Sequence, residues 1–297
     1  DLVYLDSAAT SLKPQCVIDA VVDFYTKHTS NVHRGDYRVA EINDKLYDGT
    51  RNLVAELIHC DKDEVVYTHN VSHSLNQIAF GLKPMLKKGD TVLITYAEHA
   101  SNVLPWFALQ KEIGINIEYI ETDEEANITI DTFKKAMHEG VKVVSVAEVT
   151  NVLGSIQPIK EIGAICHEKG VLFHTDAVQA IGHIPVDVKE MNIDMLSLSG
   201  HKIHAPKGIG ALYVKNGIEF ENFINGGHQE KNKRAGTENV AEIVGLGKAC
   251  EIARINLSSH ITYLSRLRNY YFNLLNRYFK DRFRINGSVQ NRLPRKC

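Results

Sequence analysis

Residues 142–176 read KVVSVAEVTNVLGSIQPIKEIGAICHEKGVLFHTD. Residues 142–147 form a short β-rich run, 159–169 carry the apolar spacing of an amphipathic helix, and 171–174 are β-rich again. Pro158 suits the first turn of that helix and Gly170 its C-terminal stop. The same alternation continues on both sides. Residues 64–68, 91–95, 116–120, 195–197 and 209–214 are further candidate strands, with helix-length stretches at 72–86 and 101–113. Buried strands alternating with helices predict an α/β fold with a mostly parallel sheet and helices on both faces. From Asn239 onward the strands stop, and 239–254 and 258–279 read as two helices. The expected organisation is an N-terminal segment (1–14), a large domain (15–238) and an incomplete C-terminal small domain (239–297).

A chain of 297 residues suits two domains or one large α/β unit. With 44% hydrophobic and 24% charged residues, it can bury a sizeable core. Thirty-four Lys+Arg against 36 Asp+Glu give a net charge of −2, which argues against a nucleic-acid-coating protein. No apolar run is long enough for a membrane-spanning helix, and residues 1–6 lack the basic start and apolar stretch of a signal peptide. Five scattered cysteines without a CxxC spacing predict free thiols in a reducing compartment, with cytoplasm the expected location. They predict neither a disulfide framework nor a metal site.

In a parallel sheet, ligands collect beyond the carboxyl ends of the strands, and the notable polar residues fall there. Lys202 closes the segment SLSGHK, and a lysine in a pocket can form a Schiff base with a carbonyl cofactor. Asp176 follows a strand. There it can hold a proton on a pyridine nitrogen, or simply cap a helix. The hydroxyl-rich turn 68–74 (THNVSHS) precedes a helix, whose free N–H groups and dipole attract a phosphate. His99 follows another strand and can lie flat on an aromatic ring or shuttle a proton. No dinucleotide-binding or nucleoside-triphosphate glycine motif is present.

The motifs YLDSAAT (4–10), NVHRG (31–35), Glu98-His99, Asn151 with Gly154 and Gln157, HTDAVQ (174–179), SGHK (199–202) and RAGTEN (234–239) follow in order along nearly the whole chain. Together they resemble the cysteine desulfurases, within the class-V aminotransferase group of fold-type-I pyridoxal-phosphate enzymes. The resemblance implies pyridoxal 5′-phosphate as cofactor, with Lys202 in Schiff-base linkage to it, Asp176 on the pyridine nitrogen and His99 stacked on the ring. Ser72, Ser199, His201 and the backbone at Val71 would bind phosphate. Gln179 would touch the ring hydroxyl, and Asn151 would support the ring. His33, Arg34 and Asn151 would meet the substrate. Thr237 would reach the phosphate of a neighbouring subunit, which implies a homodimer. The implied substrate is L-cysteine, which becomes alanine while its sulfur passes as a persulfide to an acceptor, commonly an iron–sulfur scaffold protein.

Some features depart from that pattern. The family's sulfur-accepting cysteine and carboxylate-binding arginine are expected beyond the segment at 291–294, so this chain is expected to lack both. Cys297 is a weak candidate for the thiol. Ala205 stands where glycine is usual, and His69 and His73 alter the phosphate turn. A selenocysteine lyase or another class-V lyase or transaminase is the alternative within the same chemistry. A non-catalytic cofactor-binding scaffold is the alternative outside it.

Overall fold

The computed structural model describes residues 3–296. Its sheet is built from β1 (Val65–Thr68), β2 (Thr91–Thr95), β3 (Asn116–Ile120), β4 (Val141–Ala147), β5 (Leu172–Asp176), β6 (Met195–Ser199) and β7 (Gly210–Val214). The spatial order is β1-β7-β6-β5-β4-β2-β3. Strand β7 runs antiparallel to both of its neighbours, and the other pairings are parallel. The helices are α1 (Gln15–Lys27), α2 (Arg38–Ile58), α3 (Val71–Gly81), α4 (Leu104–Ile113), α5 (Ile130–Ala136), α6 (Ile159–Lys169) and α7 (Val240–Phe279).

Alternate residues of each strand enter different cores, as strand geometry requires. Val65, Tyr67, Leu93, Val144 and Val146 pack with side chains from α2, α6 and α7. Val66, Val92, Ile94 and Val143 pack on the other face with Leu75 and Ile78 of α3 and Trp106 and Leu109 of α4. Each such fully buried side chain contributes roughly 1.5–3 kcal/mol. Helices therefore cover both faces, in agreement with the strand–helix alternation. Helix α6 ends at Gly170, which takes the left-handed conformation at φ 64°.

Three helices differ from their sequence reading. The helix expected over 72–86 stops at Gly81, and a single tight turn, Lys83–Met85, follows, because Pro84 has no N–H for a longer helix. The stretch 101–113 divides into the turn Ala100–Asn102 and α4, whose first turn contains Pro105. The two helices expected over 239–254 and 258–279 are one 40-residue helix, α7. The polar cluster between them does not break it, because its side chains bond back to the preceding turn. Asn256 Nδ2 donates to Ile252 O (2.9 Å), Ser259 Oγ to Asn256 O (2.9 Å) and Thr262 Oγ1 to Ser258 O (3.0 Å).

The first third of α7 packs into the main core through Val240, Ile243, Leu246 and Cys250. Among its described residues beyond Cys250, Phe272 is the buried one. The chain then returns to the hairpin after β4, where Ser155 bridges Arg292, Leu293 N donates to Gly154 O (2.9 Å), and Leu293 is fully buried. Gly154 sits at φ 74° with Lys296 against its Cα, so a side chain there would be strained and crowded. No described helix is long and apolar enough to cross a membrane.

Candidate active site

Strands β5 and β6 each run two residues past their sequence reading, to Asp176 and Ser199. Ladder pairing holds both ends: Ala147 lies opposite Asp176, Asp176 opposite Ser197, and Ser199 opposite Gly210. Beyond these ends opens a cavity of about 640 Å³. Val71, Ser72, His99, Asn151, Asp176, Gln179, Ser199, His201 and Lys202 all line it, together with Asp6, Ala8, Ala9 and Lys296.

Lys202 ends the one-turn helix Gly200–Lys202 directly after β6. A side chain at Gly200 would crowd Ala205 and Ile209 at 3.0 Å, so this sharp turn favours glycine, and the buried Ala205 methyl packs against it. The Lys202 amine donates to Ala8 O (2.5 Å) and Ala9 O (2.8 Å). Burial lowers its pKa, and the positive charges of Arg295 and Lys296 lower it further, against the pull of Asp176 and Asp6. The cost of its neutral, nucleophilic form is thereby reduced.

Asp176 is 6% exposed and does not cap a helix; its Oδ1 accepts the N–H of Val178 (3.0 Å) in a local turn. Burial pushes its pKa up to about 6, opposed by that N–H and by the Lys202 charge. The N-terminus of α3 lines the cavity with Asn70, Val71 and Ser72, and Asn70 Oδ1 accepts the N–H of His73 (3.0 Å) as the cap. Ser72 Oγ pairs with Ser101 Oγ (2.8 Å). Ser199 Oγ is buried with no hydrogen-bond partner. His201 Nδ1 meets Thr10 Oγ1 (3.1 Å), and burial, followed by the charge on Lys202, lowers its pKa to about 4. His69 and His73 lie with ring centres 5.1 Å apart, and burial lowers the His73 pKa to about 4.

His99 Nδ1 accepts the N–H of Ser101 (3.2 Å). The turn that carries it is anchored by Glu98. That carboxylate accepts from Thr95 Oγ1 (2.8 Å), Ala147 N (3.0 Å) and Asn102 Nδ2 (2.7 Å), and burial pushes it up to about 7. Gln179 donates to Ala8 O (3.3 Å) and accepts from Arg295 Nη2 (2.7 Å). The backbone oxygen of Asn151 accepts from Lys296 Nζ (2.7 Å).

The other sequence candidates lie elsewhere in the chain. His33 and Arg34 line a second cavity of about 590 Å³ with Tyr47, Arg51, Glu230 and Glu238, and Thr237 is exposed on the loop beside it. Among the described cysteines, none lines the first cavity; Cys16 is exposed, and burial pushes Cys60, Cys166 and Cys250 up to about 12. Cys297 lies outside the described residues. Sequence reasoning missed Arg295 and Lys296 as neighbours of the site, although two adjacent cations after Pro294 were a visible signal. It also missed the anchoring role of Glu98. Nor did it find Glu148, which is 2% exposed with an unpartnered Oε2 and is pushed up to about 8 by burial.

The aminotransferase class-V family model matches residues 3–295, and the chain belongs to that family, whose members are pyridoxal-phosphate enzymes. Cysteine desulfurases are among its relatives in the family. It is 41% identical over 267 residues to the cysteine desulfurase IscS of Clostridium botulinum (strain Hall), a match covering 90% of this chain and 67% of that protein. Its fold superimposes on the apo structure of cysteine desulfurase from Thermococcus onnurineus NA1 with a TM-score of 0.93 at 32% identity, covering 99% of this chain and 77% of that one. A structure of SspA in complex with cysteine matches with a TM-score of 0.79 at 33% identity, over 84% of this chain and 72% of that one.

The cavity suits pyridoxal phosphate by its own chemistry. An orphaned hydroxyl at Ser199 and a helix N-terminus await an anion, a buried acid lies on the adjacent strand, and an amine of lowered basicity lines the same cavity.

Proposed function

We propose that this protein is a pyridoxal-phosphate-dependent cysteine desulfurase that converts L-cysteine to L-alanine and passes the sulfur on as a persulfide. What carries the reading is the placement of Lys202 and Asp176 in one cavity with the unpaired Ser199 hydroxyl. Pyridoxal phosphate supplies an aldehyde for amines and a ring that draws electrons from the substrate Cα when its nitrogen is protonated. Lys202 would hold the cofactor through its amine and, when that amine is free, would take up and return the substrate Cα proton. Asp176 holds the proton on the ring nitrogen; the opposite charge there favours its ionised form. The N–H groups at Val71 and Ser72, the hydroxyls of Ser72 and Ser199, and His201 bind the phosphate. His99 would meet the ring face, Gln179 would orient the ring hydroxyl, and Asn151 would support the ring and the substrate.

His33, Arg34 and Thr237 stand outside the cavity of their own chain, which favours a homodimer in which they serve the site of a second copy. Residues 239–297 are assigned to a smaller domain, tied to the main core by the first third of α7 and by Leu293. The exposed Tyr263, Leu267, Tyr270 and Tyr271 on the outer part of α7 support that assignment. The accepting thiol is assigned to none of the four described cysteines. The protein acts in the cytoplasm and delivers sulfur to an acceptor such as an iron–sulfur scaffold.

The test is exchange of the Cα proton of L-cysteine in deuterium oxide with pyridoxal phosphate present. The wild-type chain should incorporate deuterium well above the rate of the free cofactor, and Lys202→Ala should not. Exchange at the free-cofactor rate in the wild type would overturn the reading.

A further inference from the structure

The loop between β7 and α7 carries an unusual backbone. Glu230, Lys231 and Asn232 have φ of 50°, 55° and 64°, three successive non-glycine residues in the left-handed region. Such a stretch persists only where its surroundings over-determine it. Here the fixed point is the Glu230 carboxylate, whose side chain is fully buried. Its Oε1 accepts from Arg51 Nη2 (2.9 Å) and from the Tyr47 hydroxyl. Its Oε2 accepts from Arg51 Nη1 (3.1 Å) and from the N–H of Tyr67 (2.7 Å). Arg234, from the same loop, donates through Nε to the Tyr67 carbonyl (3.0 Å) and through Nη1 to Gly236 O (2.6 Å). The loop thus grips both backbone polar groups of one β1 residue.

Further bonds close the loop on itself. Gly236 N donates to Gln229 Oε1 (3.1 Å), and His228 Nδ1 meets Asn232 Oδ1 (2.6 Å). Gln77 of α3 also donates to Lys233 O. Directly beyond this fastened segment stands Thr237, exposed and with no partner among the described residues. A costly conformation, locked by a buried ion pair, ends in an unused hydroxyl.

We propose that Glu230 is a positioning residue: its carboxylate, braced by Arg51, Tyr47 and Tyr67, holds the 228–237 loop so that Thr237 can donate to a phosphate ester held by a second copy of the chain. The inference rests on the functional reading above.

Removing one partner alone would leave a buried charge, so the decisive variant is the apolar pair Arg51→Leu/Glu230→Leu, a type of replacement that preserves folding in other buried ion pairs. The measurements are the dissociation constant of pyridoxal phosphate by equilibrium dialysis and the rate of trypsin cleavage at Lys231 and Lys233 in the cofactor-free protein. The double variant should bind about tenfold more weakly, the effect of losing one hydrogen bond to a charged group. It should also be cut faster within the loop while keeping a cooperative melt. Thr237→Ala should weaken binding by a similar factor, and adding it to the double variant should change little more, because both act through one contact. Glu230→Gln, which keeps the shape and one acceptor, should show a smaller loss in the same direction. The inference is overturned if the double variant and Glu230→Gln bind as tightly as wild type, or if the losses from Thr237→Ala and the double variant add in full. Wild-type protein that binds no pyridoxal phosphate would instead overturn the functional reading itself.

Discussion

The two cavities are close in size, about 640 and 590 Å³, yet their polar groups are in opposite states. At the carboxyl end of the sheet, Ser199 Oγ has no partner, Asp176 has one N–H on Oδ1, and Lys202 leans on two carbonyls. Beside the second cavity, the Glu230 carboxylate has four donors and Arg51 stacks 4.5 Å above the Tyr67 ring. Buried groups left unpaired cost stability and persist where a ligand completes them; groups fully paired within the chain hold the scaffold. The first cavity is prepared for something to arrive. Beside the second, the Glu230 carboxylate is already satisfied within the chain, and its product is a fixed loop.

That contrast can be broken by substitution. Lys202→Ala should abolish covalent attachment of the cofactor and slow Cα-proton exchange by about a thousandfold, the range for a lost general base. Asp176→Asn should slow exchange by about a hundredfold while leaving phosphate affinity nearly intact. An equal fall in both would make Asp176 a structural turn residue instead. Ser199→Ala and Tyr47→Phe sharpen the comparison further. Ser199→Ala should weaken cofactor binding about tenfold without lowering the melting temperature of the cofactor-free protein. Tyr47→Phe removes a donor from Glu230 and should lower that temperature by about 2–4 °C. The opposite pattern would reverse the roles given to the two cavities.

A further effect concerns pH. Burial raises the pKa of Glu148 to about 8, well above its unfolded value of about 4.3. A raised carboxyl pKa gives stability that is present below the unfolded value and lost as pH rises through the folded one. Glu148→Gln should therefore melt about 3 °C or more above wild type at pH 8.5, with the difference vanishing near pH 4. A constant difference across that range would place the effect in packing and not in the charge.

Much of this was legible because strand burial leaves a strong local pattern. Thr91–Thr95 and Asn116–Ile120 have the boundaries read from the sequence, and the polar residues after the strands converge on one cavity because parallel strands end on one side. The continuity of α7 was hidden because Asn256, Ser258 and Ser259 read as a break, while the back-bonding of Asn256, Ser259 and Thr262 to the helix is invisible in composition. The Glu230 brace was hidden for another reason. Its partners lie 163 to 183 residues away in sequence, and no spacing rule reaches that far. Arg295 and Lys296 were missed likewise, since only the return of the chain past Leu293 brings them beside Gln179 and Asn151.

One measurement bears on the account most directly. The protein is loaded with pyridoxal phosphate, reduced with borohydride, digested, and mapped by mass spectrometry. The pyridoxyl mass should fall on Lys202 alone. A label on Lys207 or Lys296, which line the same cavity, or on no lysine at all, would contradict the account.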